Sequence, residues 1–138
     1  METPTSNPSA ASALQGVVLY IEDVPINFAV VERLLALHPG LRLLHAESGE
    51  EGIRRVREER PDVVLLDLHL PDMSGVDVMR VLSEDIAAGR FRVLVLTADR
   101  LTVDVFKAMS LGALEYLVKP VNLGSLENGL RRALAPRA

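Results

Sequence analysis

Hydrophobic residues follow two different spacings along this chain. Five short, continuous apolar runs rich in Val and Leu are typical of strands buried on both faces of a sheet. These runs are Val17–Ile21, Leu41–Ala46, Val63–Leu68, Val93–Leu96 and Leu114–Val118. Between them, apolar residues recur at the spacing of one helix face. The pattern therefore predicts strands and helices in alternation.

Proline and capping residues indicate where the helices begin. Pro25 suits a first helical turn, Ser48 followed by Glu51 forms a capping box, and Ser74 followed by Asp77 is a weaker version of it. Asp99 and Asn122 are expected to cap the last two helices. The five predicted helices are Pro25–Leu37, Gly49–Arg60, one from Ser74 to about Ala87, Leu101–Leu111, and one from Asn122 to about Leu134.

Five strands that alternate with five helices favour a single fold class. Such strands pair in parallel through right-handed crossovers, and the helices cover both faces of the sheet. We therefore predict a doubly wound α/β domain over residues 16–136. Residues 1–15 are rich in Pro, Ser, Thr, Asn and Ala without an apolar period, which predicts a disordered tail or linker.

Composition narrows the possible classes of function. The chain has 138 residues, 49% apolar and 25% charged, which is typical of one soluble domain. The absence of cysteine excludes disulfides and thiolate chemistry. With 15 basic against 19 acidic residues and few aromatic residues, we expect no nucleic-acid surface. We also expect no membrane span, because no apolar run approaches ~20 residues, and hence a cytoplasmic location.

Polar residues at the ends of four strands suggest a common site. They are Glu22 and Asp23, Asp67, Thr97, and Lys119, and parallel strands bring their carboxyl ends to one edge of the sheet. Three carboxylates in one pocket repel each other, so they need a cation, and oxygen ligands favour Mg²⁺. A lysine and a threonine hydroxyl complete a receptor for a phosphoryl group that Asp67 could attack.

Each of these residues also has an ordinary structural explanation. An acidic pair often forms a solvated turn, Thr97 could be a strand residue, and Lys119 could be a surface lysine. Asp67 is different, because an aspartate flanked by leucines is costly to bury unless it is engaged. Independent surface residues have no reason to end four strands with complementary chemistry, so the joint interpretation is favoured.

The combination resembles the receiver domain of two-component response regulators, of the chemotaxis-regulator type. The matching segments are LYIED, VVLLDLHLPDMSG, LTA and YLVKP, and the resemblance covers about Gly16 to Ala135. It implies a flavodoxin-like fold with strand order 2-1-3-4-5. It also implies that Asp67 takes a phosphoryl group from a phosphohistidine on a sensor kinase or phosphotransfer protein. Such a domain phosphorylates and dephosphorylates itself and turns over no separate substrate.

The resemblance also implies roles for individual residues. Asp23, Asp67 and the backbone carbonyl of His69 would bind Mg²⁺ directly, and Glu22 would bind it through water. The phosphoryl group would be held by Thr97, the Ala98 amide and Lys119, beside His69 at the rim of the pocket.

A signalling switch is implied as well. Thr97 and Tyr116 would form the switch, and Lys119–Pro120 matches the family's cis peptide. Phosphorylation would change the surface made by the helix at Leu101–Leu111, the fifth strand and the last helix. That surface would contact a downstream effector and could form a homodimer. His38 and His45 show no partner pattern and are expected at a loop and at a strand end.

Two other functions could use a similar set of residues. A pseudo-receiver that only binds partners would have lost Asp23, Asp67 or Lys119, and all three are present. A phosphatase of the haloacid dehalogenase type needs a second Asp two residues after the nucleophile, where this chain has His69, and is disfavoured. The sequence names neither the cognate kinase nor the output. It is compatible with a single-domain protein and with a receiver excised from a hybrid kinase.

Overall fold

The computed structural model describes residues 13–100 and 102–136. Its five strands are β1 (Gly16–Ile21), β2 (Leu41–Ala46), β3 (Val63–Asp67), β4 (Arg92–Thr97) and β5 (Glu115–Val118). All neighbouring strands pair in parallel, in the order β2-β1-β3-β4-β5. This confirms the predicted fold and strand order, and each strand ends within one residue of its predicted bounds.

Helices cover both faces of this sheet. Over the described residues they are α1 (Pro25–Leu35), α2 (Gly49–Glu59), α3 (Gly75–Val81), α4 (Ser83–Ala87), α5 (Val103–Ser110) and α6 (Leu123–Leu134). Alternate residues of each strand point to opposite faces, so the core divides into two clusters. One lies between the sheet and α1 and α6, and the other lies beneath α2, α3 and α5.

The helix predicted from Ser74 to Ala87 is two helices. The backbone of Leu82 leaves helical geometry at φ −94° and ψ 11°, which separates α3 from α4. The apolar spacing of Met79, Leu82 and Ile86 continues across the break, and the Leu82 side chain is buried. Because side-chain periodicity is preserved, the sequence pattern could not reveal the change in the backbone.

Caps were predicted correctly for three helices and wrongly for one. Asn122 accepts a hydrogen bond from the Ser125 amide, and Ser48 accepts one from the Glu51 amide. The capping box predicted at Ser48 is only half formed, because the Glu51 carboxylate accepts from the Glu47 amide rather than from Ser48. The motif that looked weaker, Ser74 with Asp77, is a complete capping box. Asp99 does not cap α5: that helix begins later, and Thr102 accepts a hydrogen bond from the Val105 amide instead.

Two predicted features extend beyond the residues that the structure describes. Residues 1–12 of the predicted tail lie outside the described residues, as does Leu101, the predicted start of the fourth helix. Leu14, in the remainder of the predicted tail, is buried beside α1 and α6. In the described part of the chain, no helix combines the length and the apolar character that crossing a bilayer requires.

Candidate functional site

Three carboxylates meet at the carboxyl edge of the sheet. Because β1 and β3 are neighbours, Glu22 and Asp23 after β1 lie beside Asp67, the last residue of β3. One carboxylate oxygen from each lies within 4.8 Å of the others. Glu22 is 0% exposed and Asp67 is 3% exposed, while Asp23 is half-buried. This concentration of negative charge requires a compensating cation.

Lys119 supplies one positive charge. Its Nζ lies 3.0 Å from Glu22 Oε1 and 3.3 Å from Asp67 Oδ1. The Lys119 amide donates to the Thr97 carbonyl at 2.7 Å, which continues the pairing of β4 and β5 past their ends. The peptide bond between Lys119 and Pro120 is cis. The structure therefore places a single ammonium group between two of the three carboxylates.

Their surroundings in the pocket shift the pKa values of the Asp67 and Glu22 carboxyl groups in opposite directions. Burial, together with a hydrogen bond shared with Glu22, raises the pKa of Asp67 to about 6. Burial alone would also raise the pKa of Glu22, but hydrogen bonds with Asp67, Lys119 and Tyr20 outweigh it and lower that pKa. In the metal-free site, Glu22 therefore keeps its negative charge beside Lys119, and Asp67 is the carboxylate that takes up a proton first.

The Asp23 carboxylate offers a buried oxygen that a cation could bind. Its Oδ1 is buried and has no hydrogen-bond partner among the described residues. A buried carboxylate oxygen without a partner is costly, and a hard divalent cation would satisfy it. Asp67 also accepts a hydrogen bond from the His69 amide at 3.1 Å, which orients its carboxylate, while the His69 side chain is exposed. These oxygen donors fit Mg²⁺.

The candidate switch residues, Thr97 and Tyr116, lie toward the face of the sheet that α2, α3 and α5 cover. Thr97 is 2% exposed, and its hydroxyl donates to the Asp99 carbonyl at 3.0 Å and accepts from the Asp99 amide at 3.2 Å. Tyr116 on β5 is half-buried against the core cluster beneath α2, α3 and α5. Ala98 follows β4 and is exposed. The structure therefore brings the carboxylates and Lys119 together, but it shows no hydrogen bond from Thr97 to either.

A glycine lets α3 approach the strand end that carries Asp67. The Gly75 amide donates to the Leu68 carbonyl at 2.9 Å. A Cβ at this position would lie 2.6 Å from the Asp67 carbonyl oxygen and 2.8 Å from Leu68 Cα. Since both of these are backbone atoms, a larger residue would push α3 away from the site.

Sequence reasoning missed two residues that contact Glu22. The Tyr20 hydroxyl donates to Glu22 Oε1 at 2.9 Å, and His45 Nε2 lies 2.8 Å from the Glu22 carbonyl oxygen. The alternation along β1 could have indicated Tyr20, because residues two apart share a face. His45 could be found only from the pairing of β1 with β2. His38 lies in the loop between α1 and β2, as expected, and its Nε2 lies 2.6 Å from Glu127 Oε2 on α6.

Comparison with known proteins identifies the class. Residues 18–131 match the response regulator receiver domain, and the chain belongs to this family. It is similar to the protein PilH of Pseudomonas aeruginosa, with 31% identity over 118 residues, 86% of this chain and 97% of that protein. The DNA-binding response regulator MtrA of Mycolicibacterium smegmatis is 38% identical over 103 residues, 75% of this chain and 43% of that protein. This chain therefore spans nearly all of PilH but less than half of MtrA.

Solved receiver domains have the same fold. A response regulator receiver domain from Clostridium thermocellum aligns with a TM-score of 0.76 and 31% identity, covering 86% of this chain and 93% of that one. The receiver domain of a sensor histidine kinase from Pseudomonas aeruginosa aligns with a TM-score of 0.73 and 30% identity, covering 86% and 97%. In that neighbour, a magnesium ion is coordinated in the active site cleft. The chain is thus a receiver domain of two-component signalling with an acidic pocket.

Proposed function

We propose that this receiver domain accepts a phosphoryl group on Asp67 from a phosphohistidine of a sensor histidine kinase or phosphotransfer protein. One observation carries the proposal: the carboxylates of Glu22, Asp23 and Asp67 lie within 4.8 Å of one another, with Lys119 Nζ between two of them. Family membership supports the same conclusion.

The residues present fit a magnesium ion. Asp23 and Asp67, with the backbone carbonyl of His69, would hold the ion directly, and Glu22 would hold it through water. The unpartnered Oδ1 of Asp23 supports this assignment. When bound, Mg²⁺ offsets the carboxylate charge and polarises the phosphoryl oxygens.

Asp67 would act as the nucleophile. A carboxylate oxygen attacks phosphorus, the bond between phosphorus and the donor histidine nitrogen breaks, and that nitrogen keeps the electron pair. Lys119, the Thr97 hydroxyl and the Ala98 amide would hold the phosphoryl oxygens, near the rim where His69 lies. Charge stabilisation of this kind is the main requirement of phosphoryl transfer. Hydrolysis of the resulting acyl phosphate by water would return the domain to its starting state.

Phosphorylation would change a protein surface. Thr97 would exchange its hydrogen bonds with Asp99 for the phosphoryl group, and Tyr116 would rotate into the space that Thr97 leaves. Tyr116 lies on β5 and Thr97 pairs with Val118 of β5, so the surface of α5, β5 and α6 would change with them. We propose that this surface contacts a downstream effector and that it could also form a homodimer with a second copy of the chain. We propose that the protein acts in the cytoplasm.

Phosphorylation by acetyl phosphate tests the proposal. With Mg²⁺, the intact protein should gain the mass of one phosphoryl group, and the product should be labile to base. Asp67→Asn should abolish the gain. Asp62→Asn is the matched control. Asp62 is the residue before β3, at the opposite end of the strand from Asp67, and its carboxylate accepts a hydrogen bond from the Val17 amide. Full labelling of the Asp67→Asn protein would show that another residue is the acceptor, and no labelling of wild type would favour a pseudo-receiver.

A further inference from the structure

A buried tyrosine hydroxyl lies directly against the candidate metal site. Tyr20 is 1% exposed and lies on the face of β1 that packs against α1 and α6. On that face, Val18 of the same strand and Leu65 of β3 are aliphatic neighbours. Burying a phenol hydroxyl in such a place is unfavourable unless it finds a partner. Its hydrogen bond to Glu22 Oε1, at 2.9 Å, is that partner.

The ring of Tyr20 is held in place by a short stack. Phe28 of α1 stacks on Tyr20 with ring centroids 5.9 Å apart and also stacks on His45 of β2, with ring centroids 3.7 Å apart. His45 Nε2 in turn lies 2.8 Å from the main-chain oxygen of Glu22. The stack therefore contacts Glu22 twice, through the side chain from Tyr20 and through the backbone from His45.

The length of the glutamate side chain explains why this contact exists. Tyr20 and Glu22 are two residues apart on β1 and so project to the same face. A glutamate has one methylene more than an aspartate, which lets its carboxylate reach the Tyr20 hydroxyl as well as Lys119 Nζ, 3.0 Å from the same oxygen. A shorter aspartate at position 22 would withdraw from the hydroxyl.

We propose that Tyr20 is a positioning residue, which holds the Glu22 carboxylate so that a glutamate can serve in the metal site. This inference rests on the proposed function for its effect on Mg²⁺, but the coupling of Tyr20 to Glu22 exists without the metal. Tyr20 touches neither the ion nor the phosphoryl group. It acts by restricting where the Glu22 carboxylate lies, as outer-shell partners of metal ligands do.

The test is a double-substitution cycle with Tyr20→Phe, Glu22→Asp and both together. Mg²⁺ affinity is measured by NMR titration of backbone amides. Tyr20→Phe should weaken Mg²⁺ binding several-fold, less than the roughly tenfold loss usual for the partner of a direct ligand, because Glu22 would hold the ion through water. In the Glu22→Asp background the same substitution should change affinity by less than about twofold, because the hydroxyl no longer has its partner. Val18→Ala is the control: it removes buried volume from the same face of β1 and should lower stability without changing Mg²⁺ affinity.

Urea unfolding without Mg²⁺ of wild type, the two single variants and the double variant provides a second measurement. Tyr20→Phe and Glu22→Asp should be clearly non-additive in the free energy of unfolding. Equal effects of Tyr20→Phe in both backgrounds, by either measurement, would overturn the proposal, as would a loss of affinity in Val18→Ala that matches Tyr20→Phe. Wild-type protein that bound no Mg²⁺ would refute the proposed function instead, and additivity in metal-free unfolding would then decide the role of Tyr20.

Discussion

Asp67 combines a reactive position with an unfavourable electrostatic environment. Burial raises its pKa from 3.8 to about 6 in the metal-free protein. Because the pKa is higher in the folded than in the unfolded state, this group's contribution to stability is present at low pH. It is lost as the pH rises through the folded value.

Asp67→Asn should therefore stabilise the metal-free protein, and more so at neutral than at acidic pH. The advantage of the variant in the free energy of unfolding should grow by roughly 1 kcal/mol as the pH rises from about 5 to about 7. Urea titrations of both proteins at a series of pH values measure it. Added Mg²⁺ should stabilise wild type and narrow the difference. An advantage that stays constant over this range would contradict the proposed protonation of Asp67.

The two members of the acidic pair should contribute unequally to metal binding. Asp23 has an unpartnered buried oxygen, whereas Glu22 is already bound by Tyr20 and Lys119. Asp23→Asn should weaken Mg²⁺ affinity by at least about tenfold, since it removes a direct ligand charge. Glu22→Gln should weaken it less, since its contact would run through water. Calorimetric titration compares them, and equal losses would contradict the assigned coordination.

At the scale of the secondary-structure elements, the first turn of α2 is stabilised by a residue that is remote in sequence. Asp72, in the loop after β3, accepts hydrogen bonds from the Gly49 amide at 2.8 Å and the Glu50 amide at 2.9 Å. These bonds, first of all the one from Glu50, lower the pKa of Asp72. They supplement the Ser48 cap and connect α2 to the loop that leads from Asp67 to α3.

Asp72→Ala should lower the free energy of unfolding by about 1 kcal/mol at neutral pH, the usual effect of losing a helix cap. Since the pKa of Asp72 is lowered in the folded state, the stabilisation is present above its unfolded pKa. It disappears as the pH falls below that value, so wild type and variant should converge in acid. Thermal or urea unfolding at pH values on either side of about 4 tests this. The exposed Glu84→Ala on α4 is a control that should change little.

At the scale of the whole molecule, Lys119 contacts both the acidic pocket and Thr97, one of the proposed switch residues. It contacts Glu22 and Asp67 through its side chain and Thr97 through its amide. Lys119→Arg keeps the charge but replaces a compact ammonium with a planar fork that fits a small phosphate pocket poorly. We expect this variant to bind Mg²⁺ and to accept phosphate, while the pocket no longer communicates with Tyr116.

Beryllofluoride, which mimics the aspartyl phosphate, separates these effects. In wild type, amide shifts should spread from Thr97 to Tyr116 and α6. In Lys119→Arg they should stay near Asp67. The same spread in both proteins would show that Lys119 does not carry the switch.

The amino-acid sequence by itself determined the order of strands and helices and the residues at the strand ends. Both follow from local properties of the chain. Continuous apolar runs identify the buried strands. The alternation of strands with helices makes the strands parallel, which brings the residues at their ends to one edge of the sheet: Glu22, Asp23, Asp67 and Lys119. The family segments added the strand order, which alternation alone does not give. The break between α3 and α4 and the start of α5 were predicted wrongly, because they depend on the backbone geometry at Leu82 and on which of Asp99 and Thr102 reaches an amide.

Only the tertiary structure decided which side chains at the carboxyl edge of the sheet contact one another. Whether Thr97 bonds Asp99 or the pocket, and whether Lys119 lies between Glu22 and Asp67, depends on side-chain directions that no spacing encodes. The contact of His45 with Glu22 arises because β1 pairs with β2. Likewise, the pKa of Asp67 is set by burial beneath neighbouring elements and by a second carboxylate distant in sequence. Such properties exist only once the chain has folded.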